Sequence, residues 1–150
     1  MEIKARLESD MKTALKARDT ERLGVIRMAL AAVKQREIDS GRRDGLPEAE
    51  AIGVIERMIK QRREAAEQYR AGNREETATK EEWEAKLLGD YLPEAVGSEA
   101  LDAEISAVIR ETAAASRRDM GKVMGVLKAR LAGRADMAEV SRRVREQLPD

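Results

Sequence analysis

The residues best suited to acid–base or metal chemistry are carboxylates that crowd one ten-residue stretch of the chain. They are Glu75, Glu76, Glu81, Glu82 and Glu84. Paired carboxylates can transfer protons or bind divalent cations. Basic residues are interleaved with these acids, however, and Glu82 and Lys86 have the i,i+4 spacing of an ion pair on a helix surface. We therefore interpret the stretch as a salt-bridged helix surface.

Two of the residue types most common in active sites and metal sites, histidine and cysteine, are absent from the sequence. The chain has no His and no Cys, which excludes a Ser-His-Asp triad, a cysteine nucleophile, a thiolate zinc site and a disulfide framework. No glycine-rich loop follows a strand-like segment, so no ATP phosphate loop is expected. The sequence predicts no catalytic residues, no cofactor and no metal. An enzyme with a cryptic site among the carboxylates is the alternative left open.

Positive charge is concentrated between positions 115 and 145, where nine basic residues stand against three acidic ones, a net charge of +6. A solvated helix face is the plain interpretation, and phosphate binding is the functional one. Residues 96–150 contain no aromatic side chain to stack on a base, so such a surface is expected to bind RNA through backbone and shape. The candidate RNA-binding residues are Arg117, Arg118, Lys122, Lys128, Arg130, Arg134, Arg142, Arg143 and Arg145.

The elements that must position these residues are helices. Apolar residues recur every three or four positions almost throughout, 39% of the chain is charged and 2% is aromatic. We predict an all-α protein with a four-helix bundle-like domain in residues 1–95 and a small three-helix domain in residues 96–150, joined at a hinge near Pro93. No apolar run approaches the roughly 20 residues of a membrane span. The first residues lack the apolar core of a secretory signal, so a cytoplasmic protein is expected.

Helix boundaries follow from polar residues and glycines. Short polar side chains predict the starts of the helices. For the fourth helix, Asn73 and Glu76 form a capping box, and Thr79 with Glu82 offers a later start. The other predicted caps are Asp19 or Thr20, Ser98, Asp119 and Asp136. Leu15 and Trp83 are placed on the buried faces of the first and fourth helices.

Two glycines, Gly121 and Gly125, stand inside the predicted sixth helix, where each costs about 1 kcal/mol relative to Ala. Close approach of a neighbouring helix is the first explanation. The second is that Gly121 lets a phosphate or an RNA backbone reach exposed N–H groups.

Five segments, in this order along the chain, carry a resemblance to a known family. They are Val25-Ile-Arg-Met-Ala-Leu, Lys60-Gln-Arg-Arg-Glu-Ala-Ala-Glu-Gln-Tyr-Arg-Ala-Gly, Asp90-Tyr-Leu-Pro-Glu94, Asp119-Met-Gly-Lys-Val-Met-Gly125 and Gly133-Arg-Ala-Asp136. Together they resemble the GatB/YqeY family, in particular its small stand-alone YqeY-like members. The resemblance implies a helical bundle joined to a three-helix tail. That tail is similar to the C-terminal domain of the B subunit of glutamyl/aspartyl-tRNA amidotransferase, a tRNA-binding appendage.

The family label, carbon–nitrogen ligase with glutamine as amido-N-donor, describes chemistry in other domains of that enzyme. This sequence lacks the catalytic cradle, the cysteines of its metal site and the Ser-Ser-Lys pattern of the amidase. The resemblance therefore transfers only to tail positions, where Lys122 and Arg134 are expected to contact phosphate. The other matching positions, expected to be architectural, are Asp119, Gly121, Met124, Gly125, Gly133 and Asp136.

The expected function is a non-catalytic accessory module of translation. It would bind tRNA, beside an amidotransferase or an aminoacyl-tRNA synthetase. The alternative is a protein–protein adaptor that does not bind RNA.

Overall fold

A computed structural model describes residues 2–150. The described residues form seven α-helices and one 3₁₀ turn, with no strand, which confirms the all-α fold class. The 3₁₀ turn covers Arg117–Asp119, between α5 and α6. The helices are α1 (Ile3–Ala17), α2 (Thr20–Ser40), α3 (Glu48–Ala71), α4 (Glu75–Gly89), α5 (Ser98–Glu111), α6 (Met120–Arg130) and α7 (Met137–Gln147).

The chain divides into two compact units, Met1–Leu92 and Pro93–Asp150. The first unit contains α1 to α4, and the second contains α5, the 3₁₀ turn, α6 and α7. The independent folding of residues 1–95 and 96–150 as separate domains stays a prediction.

In the first unit, one side of α2 supplies much of the core. Its predicted apolar face is fully in the interior, since all four of its members are less than 10% exposed. They are Leu23, Ile26, Leu30 and Val33. Burying each such side chain is worth about 1.5–3 kcal/mol, so this face fixes the rotation of α2 about its own axis. The opposite side of α2 is left in solvent.

The end of α4 is held by α1. The hydroxyl of Tyr91 donates to Asp10 Oδ2 at 2.5 Å, and the guanidinium of Arg6 lies 4.8 Å from the centre of the Tyr91 ring. Arg6 Nη2 also donates to the carbonyl of Asp90 at 2.8 Å. Burial, followed by the bond to Asp10, raises the pKa of Tyr91 well above its usual range. These contacts fix the point at which the chain leaves the first unit.

The second unit is built on nine buried apolar residues from α5, α6, α7 and the segments that follow α6 and α7. They are Leu101, Ile105, Val108, Val123, Leu127, Leu131, Val140, Val144 and Leu148. Gly133 turns the chain between α6 and α7 with φ +73°, a left-handed conformation that favours glycine. Every one of these core residues is aliphatic, so the unit packs without aromatic rings.

Two of the predicted helix caps are confirmed. Asp19 accepts a hydrogen bond from the backbone N–H of Arg22 at 3.2 Å, and Asp136 accepts one from Ala138 at 3.0 Å. Each carboxylate satisfies a donor that the first helical turn leaves free.

Three other caps are wrong. Asn73 adopts a left-handed conformation with φ +61°, so α4 begins at Glu75 without a side-chain cap. Ser98 is the first residue of α5, one position too late to cap it. Asp119 accepts from the backbone N–H groups of Ala115, at 2.8 Å, and Ser116, and so caps the turn ahead of α6 instead of α6 itself.

Two apolar side chains placed on buried faces are exposed instead. Leu15 is 56% exposed because Ala14, one residue earlier, takes the buried position, and each step rotates a helix by about 100°. Trp83 is 37% exposed, and the buried positions of α4 around it belong to Ala78 and Ala85.

Candidate nucleic-acid interface

All nine candidate RNA-binding residues lie in the second unit. They divide into residues that have a partner within the described fold and residues that have no ion pair there. Arg130 belongs to the first group because it contacts two carboxylates of α5. Its Nη1 lies 3.2 Å from Glu104 Oε1, and its Nη2 donates to Glu111. The hydrogen bond from Arg130 holds the pKa of Glu111 below its usual range. The charge of Arg130 is therefore compensated within the unit.

Arg142 and Arg143 on α7 are compensated in the same way. Arg142 contacts Glu139 at 2.5 Å and Glu146 at 2.6 Å. Arg143 contacts Glu139 at 2.8 Å and Asp102 at 3.0 Å. Hydrogen bonds from the two guanidinium groups, first from Arg142 and then from Arg143, lower the pKa of Glu139 to about 2. Most of the charge that the sequence places on α7 is thus neutralised by neighbouring carboxylates.

Arg117 and Arg134 each donate a hydrogen bond to a backbone carbonyl of the second unit. Arg117 pairs with Asp150 at 2.5 Å and donates through Nε to the carbonyl of Arg145 at 3.3 Å. Arg134 donates through Nε to the carbonyl of Glu94 at 3.3 Å, and its own carbonyl accepts from Val96. Both side chains are exposed, but each already has a partner in the fold.

Three cations without an ion pair in the described chain lie on or beside α6: Arg118, Lys122 and Lys128. All three are exposed, and α6 contains no acidic residue. Arg145 on α7 is also exposed and unpaired through its guanidinium. Four of the nine basic candidates therefore have no ion pair in the described residues, and three of the four lie on or beside α6.

Gly121 and Gly125 lie among these cations. Gly121, Gly125 and Lys128 are spaced i, i+4 and i+7, which places them on one side of the helix. We call the set Arg118, Gly121, Lys122, Gly125 and Lys128 the α6 face. A Cβ atom added at either glycine would meet nothing within 4 Å. Close approach of a neighbouring helix within the described chain is therefore the wrong explanation for these glycines.

The acid nearest in sequence to the α6 face is Asp119, and its carboxylate is already engaged. Hydrogen bonds from Ala115 and Ser116 lower the pKa of Asp119, and the charge of Lys122 contributes less. Lys122 forms no ion pair within the described residues, so its ammonium group remains available to an external anion. Met124, another predicted architectural position, packs partly buried against the core.

Three of the five carboxylates of α4 form ion pairs with α3. Arg70 contacts Glu75 at 2.9 Å and Glu82 at 2.7 Å, which makes the predicted Glu82–Lys86 pair wrong. Glu84 pairs with Arg62 at 3.3 Å, and both side chains are less than 20% exposed. These contacts support the interpretation of a salt-bridged helix surface.

Two other features are absent from the described residues, a metal-binding cluster and a membrane-spanning helix. Residues 2–150 contain no group of three or more His, Cys, Asp or Glu arranged to hold a metal ion. Within the same part of the chain, no helix is both long enough and apolar enough to cross a membrane.

Comparison with known proteins gives a family match and several curated relatives. The family model described as "Yqey-like protein" matches residues 4–148. The relatives are named "Altered inheritance of mitochondria protein 41, mitochondrial". That of Vanderwaltozyma polyspora is 36% identical over 86 residues, covering 57% of this chain and 46% of the relative. That of Lachancea thermotolerans is 34% identical over 109 residues, covering 71% and 58%. That of Pyrenophora tritici-repentis is 27% identical over 147 residues, covering 94% and 78%.

The match spans about half the length of the first two of these relatives. Their names place these relatives in mitochondria, which contradicts the expectation of a cytoplasmic protein. That expectation rests on the lack of a secretory-type apolar segment, which does not distinguish the cytoplasm from a mitochondrial compartment.

Proposed function

Because this chain belongs to the YqeY-like protein family, we propose that it is a non-catalytic accessory module that contacts tRNA through the α6 face. The observation that carries the proposal is the positive charge of that face, which no carboxylate of the described residues pairs with. Arg118, Lys122 and Lys128 are exposed and have no carboxylate partner in the described chain, whereas Arg130, Arg142 and Arg143 do. A polyanion is the ligand that supplies the missing negative charge.

The two glycines of the α6 face support a close approach by such a ligand. With no side chain at Gly121 and Gly125, and open space beyond both, a sugar–phosphate backbone can lie directly against the helix. The flanking lysines then reach its phosphates from either side. A protein surface that needed only solvation would gain about 1 kcal/mol of helix stability from Ala at Gly125.

The chemistry of the unit favours backbone contacts over base recognition. Pro93–Asp150 contains no aromatic residue, and the long polar side chains of the α6 face are Lys and Arg, which bind phosphate oxygens. The resemblance of the tail to the amidotransferase appendage favours tRNA among the RNAs. The ligase label of the family then describes a multidomain relative, and this chain contributes binding without catalysis.

A charge-reversal variant tests the proposal directly. Lys122→Glu combined with Lys128→Glu is expected to weaken tRNA binding and to lower the slope of log K against log salt by about two, at roughly 0.9 per lost phosphate contact. Both positions are exposed, so the melting temperature should change little. Fluorescence anisotropy across a salt series gives the slope.

The matched control is Lys12→Glu combined with Lys16→Glu, which makes the same change of charge at two exposed positions of α1. This variant should keep the wild-type slope. If the α6 variant binds tRNA as tightly as wild type with an unchanged slope, or if the α1 variant loses as much binding, the α6 face is not the RNA interface.

A further inference from the structure

The exposed side of α2 carries a regular seam of residues that are small or apolar except for Gln35. Met28 is 53% exposed and Ile38 is 71% exposed, two of the four large apolar side chains most open to solvent in the described chain. The seam is formed by five exposed residues spaced four, three, four and three apart. They are Gly24, Met28, Ala31, Gln35 and Ile38. This is the spacing of the a and d positions of a coiled coil, on the side of α2 opposite its buried face.

Positive charge borders the seam on one edge. Arg27 and Lys34 occupy the position just before Met28 and Gln35, which is the g position of a heptad. Both are exposed, and neither has an ion pair in the described residues. The sequence contains no acidic residue between Arg22 and Arg36. The edge therefore has cations at successive heptad positions and no carboxylate between them to neutralise them.

The seam has the physical properties of a surface that accepts a helix. A side chain at Gly24 would meet nothing within 4 Å, so a partner backbone can approach there. The sulfur of Met28 lies 3.5 Å from Arg62 Nη2, and Arg62 is itself fixed by its ion pair with Glu84. Methionine is flexible and polarisable, which suits it to contacts with a partner side chain of variable shape.

We infer that this side of α2 docks an acidic amphipathic helix of another protein, whose apolar residues cover the seam and whose carboxylates pair with Arg27 and Lys34. The partner supplies the a and d residues of a two-helix interface and Glu or Asp at its flanking positions. The inference concerns the first unit and is independent of RNA binding by the second.

A second copy of this chain fits the same surface poorly. In an antiparallel pair of α2 helices, g positions face each other, which sets Arg27 and Lys34 against like charges. In a parallel pair, g positions face e positions, and the e residues of α2 are Val25, Ala32 and Asp39. Asp39 is the one acid among them, and it already accepts from Gln35 Nε2 at 2.9 Å. A separate acidic helix meets both cations.

The test uses the full-length protein and two synthetic helices of about 21 residues with Leu at a and d, one with Glu and one with Lys at e and g. The seam from Gly24 to Ile38 is about 21 Å long, at 1.5 Å per residue, so either peptide spans it. We expect the Glu peptide to bind about tenfold more tightly than the Lys peptide. Met28→Glu with Ile38→Glu should weaken binding of the Glu peptide on the order of a hundredfold, tenfold for each apolar anchor.

Two variants distinguish docking on α2 from non-specific adhesion of a charged or apolar peptide to the protein. Arg27→Glu with Lys34→Glu should reverse the preference, so that the Lys peptide binds better. Leu15→Glu changes another exposed apolar residue, on α1, and should leave peptide binding within twofold of wild type. Far-ultraviolet circular dichroism of each variant should match that of wild type, which shows that the helix content of the protein is kept.

Three results would overturn the inference. The first is equal binding, or no binding, of the two peptides. The second is Glu-peptide binding that survives Met28→Glu with Ile38→Glu. The third is a dimer of the protein, detected by sedimentation, that dissociates in that same variant, since this would assign the seam to a second copy. A loss of tRNA binding plays no part in these outcomes, so the two proposals fail separately.

Discussion

Substituting Gly125 by Ala is expected to have opposite effects on the stability of α6 and on the proposed binding of RNA to it. Gly125 is the sixth residue of an eleven-residue helix, and a Cβ atom there meets nothing within 4 Å. The substitution therefore adds helix propensity without a clash, a gain of about 1 kcal/mol. That gain corresponds to a rise in melting temperature of about 2–8 °C, the upper end applying if Pro93–Asp150 unfolds by itself.

The same methyl group should weaken tRNA binding. If the sugar–phosphate backbone lies against Gly125, an added Cβ must push it away, and a cost near 1 kcal/mol corresponds to about fivefold in affinity. Gly125→Leu extends the obstruction and should cost more. Calorimetry and tRNA anisotropy on the same preparations therefore give changes of opposite sign, with a more stable protein that binds less well.

Gly133→Ala is the matched control for the stability half of this prediction. Gly133 has φ +73°, so alanine there is strained and should lower stability by about 1–2 kcal/mol. The outcome that defeats the reasoning on α6 is a Gly125→Ala protein that is more stable and binds tRNA with wild-type affinity. The glycine would then have no role in RNA contact.

Three further predictions concern stability. Ala113 has φ +53°, so Ala113→Gly should stabilise the protein by about 0.5–1 kcal/mol in urea unfolding, and a loss would contradict this. Tyr91→Phe removes the bond to Asp10 and should cost about 1–2 kcal/mol, followed by the fluorescence of Trp83; an unchanged midpoint would refute it. Glu139 has its folded pKa lowered from an ordinary 4.5 to about 2, so its stabilising contribution is present above pH 4.5 and is lost as the pH falls toward 2. The melting temperature of Glu139→Gln should therefore depend less on pH across that window than that of wild type. An equal pH dependence of the two melting temperatures would show that the ion pairs of Glu139 do not stabilise the fold.

Periodicity in the sequence was sufficient to predict the helices and the buried face of α2. The rule that apolar residues recur every three or four positions depends only on the geometry of a single helix. Gly133 likewise marks a chain reversal, which its left-handed φ of +73° explains. The predicted cap positions were less accurate than the predicted helices. A shift of one residue, as at Ser98, moves a side chain out of reach of the free N–H groups.

The ion pairs that arginines form between helices were beyond prediction from spacing, unlike the i,i+4 pairs Arg142–Glu146 and Arg143–Glu139 within α7. The i,i+4 rule applies within one helix, and it fails for Arg130, whose partners Glu104 and Glu111 lie on α5. Arg143 likewise reaches Asp102, 41 residues away in the chain. The packing of α5, α6 and α7 decides which cations stay unpaired. The unpaired charge of the α6 face can therefore be identified only from the folded structure.

The two proposed surfaces lie on different units, and this has a consequence for how a ternary complex would form. The α2 seam belongs to Met1–Leu92 and the α6 face to Pro93–Asp150. If an acidic helix and a tRNA bind these surfaces at once, the chain links the two partners and raises the effective concentration of each near the other. Such linkage strengthens the assembly without requiring either ligand to alter the other's site. Affinity for tRNA measured with and without the saturating Glu peptide should then be equal, whereas a coupling of 1 kcal/mol or more, about fivefold in affinity, would require a conformational link between the units.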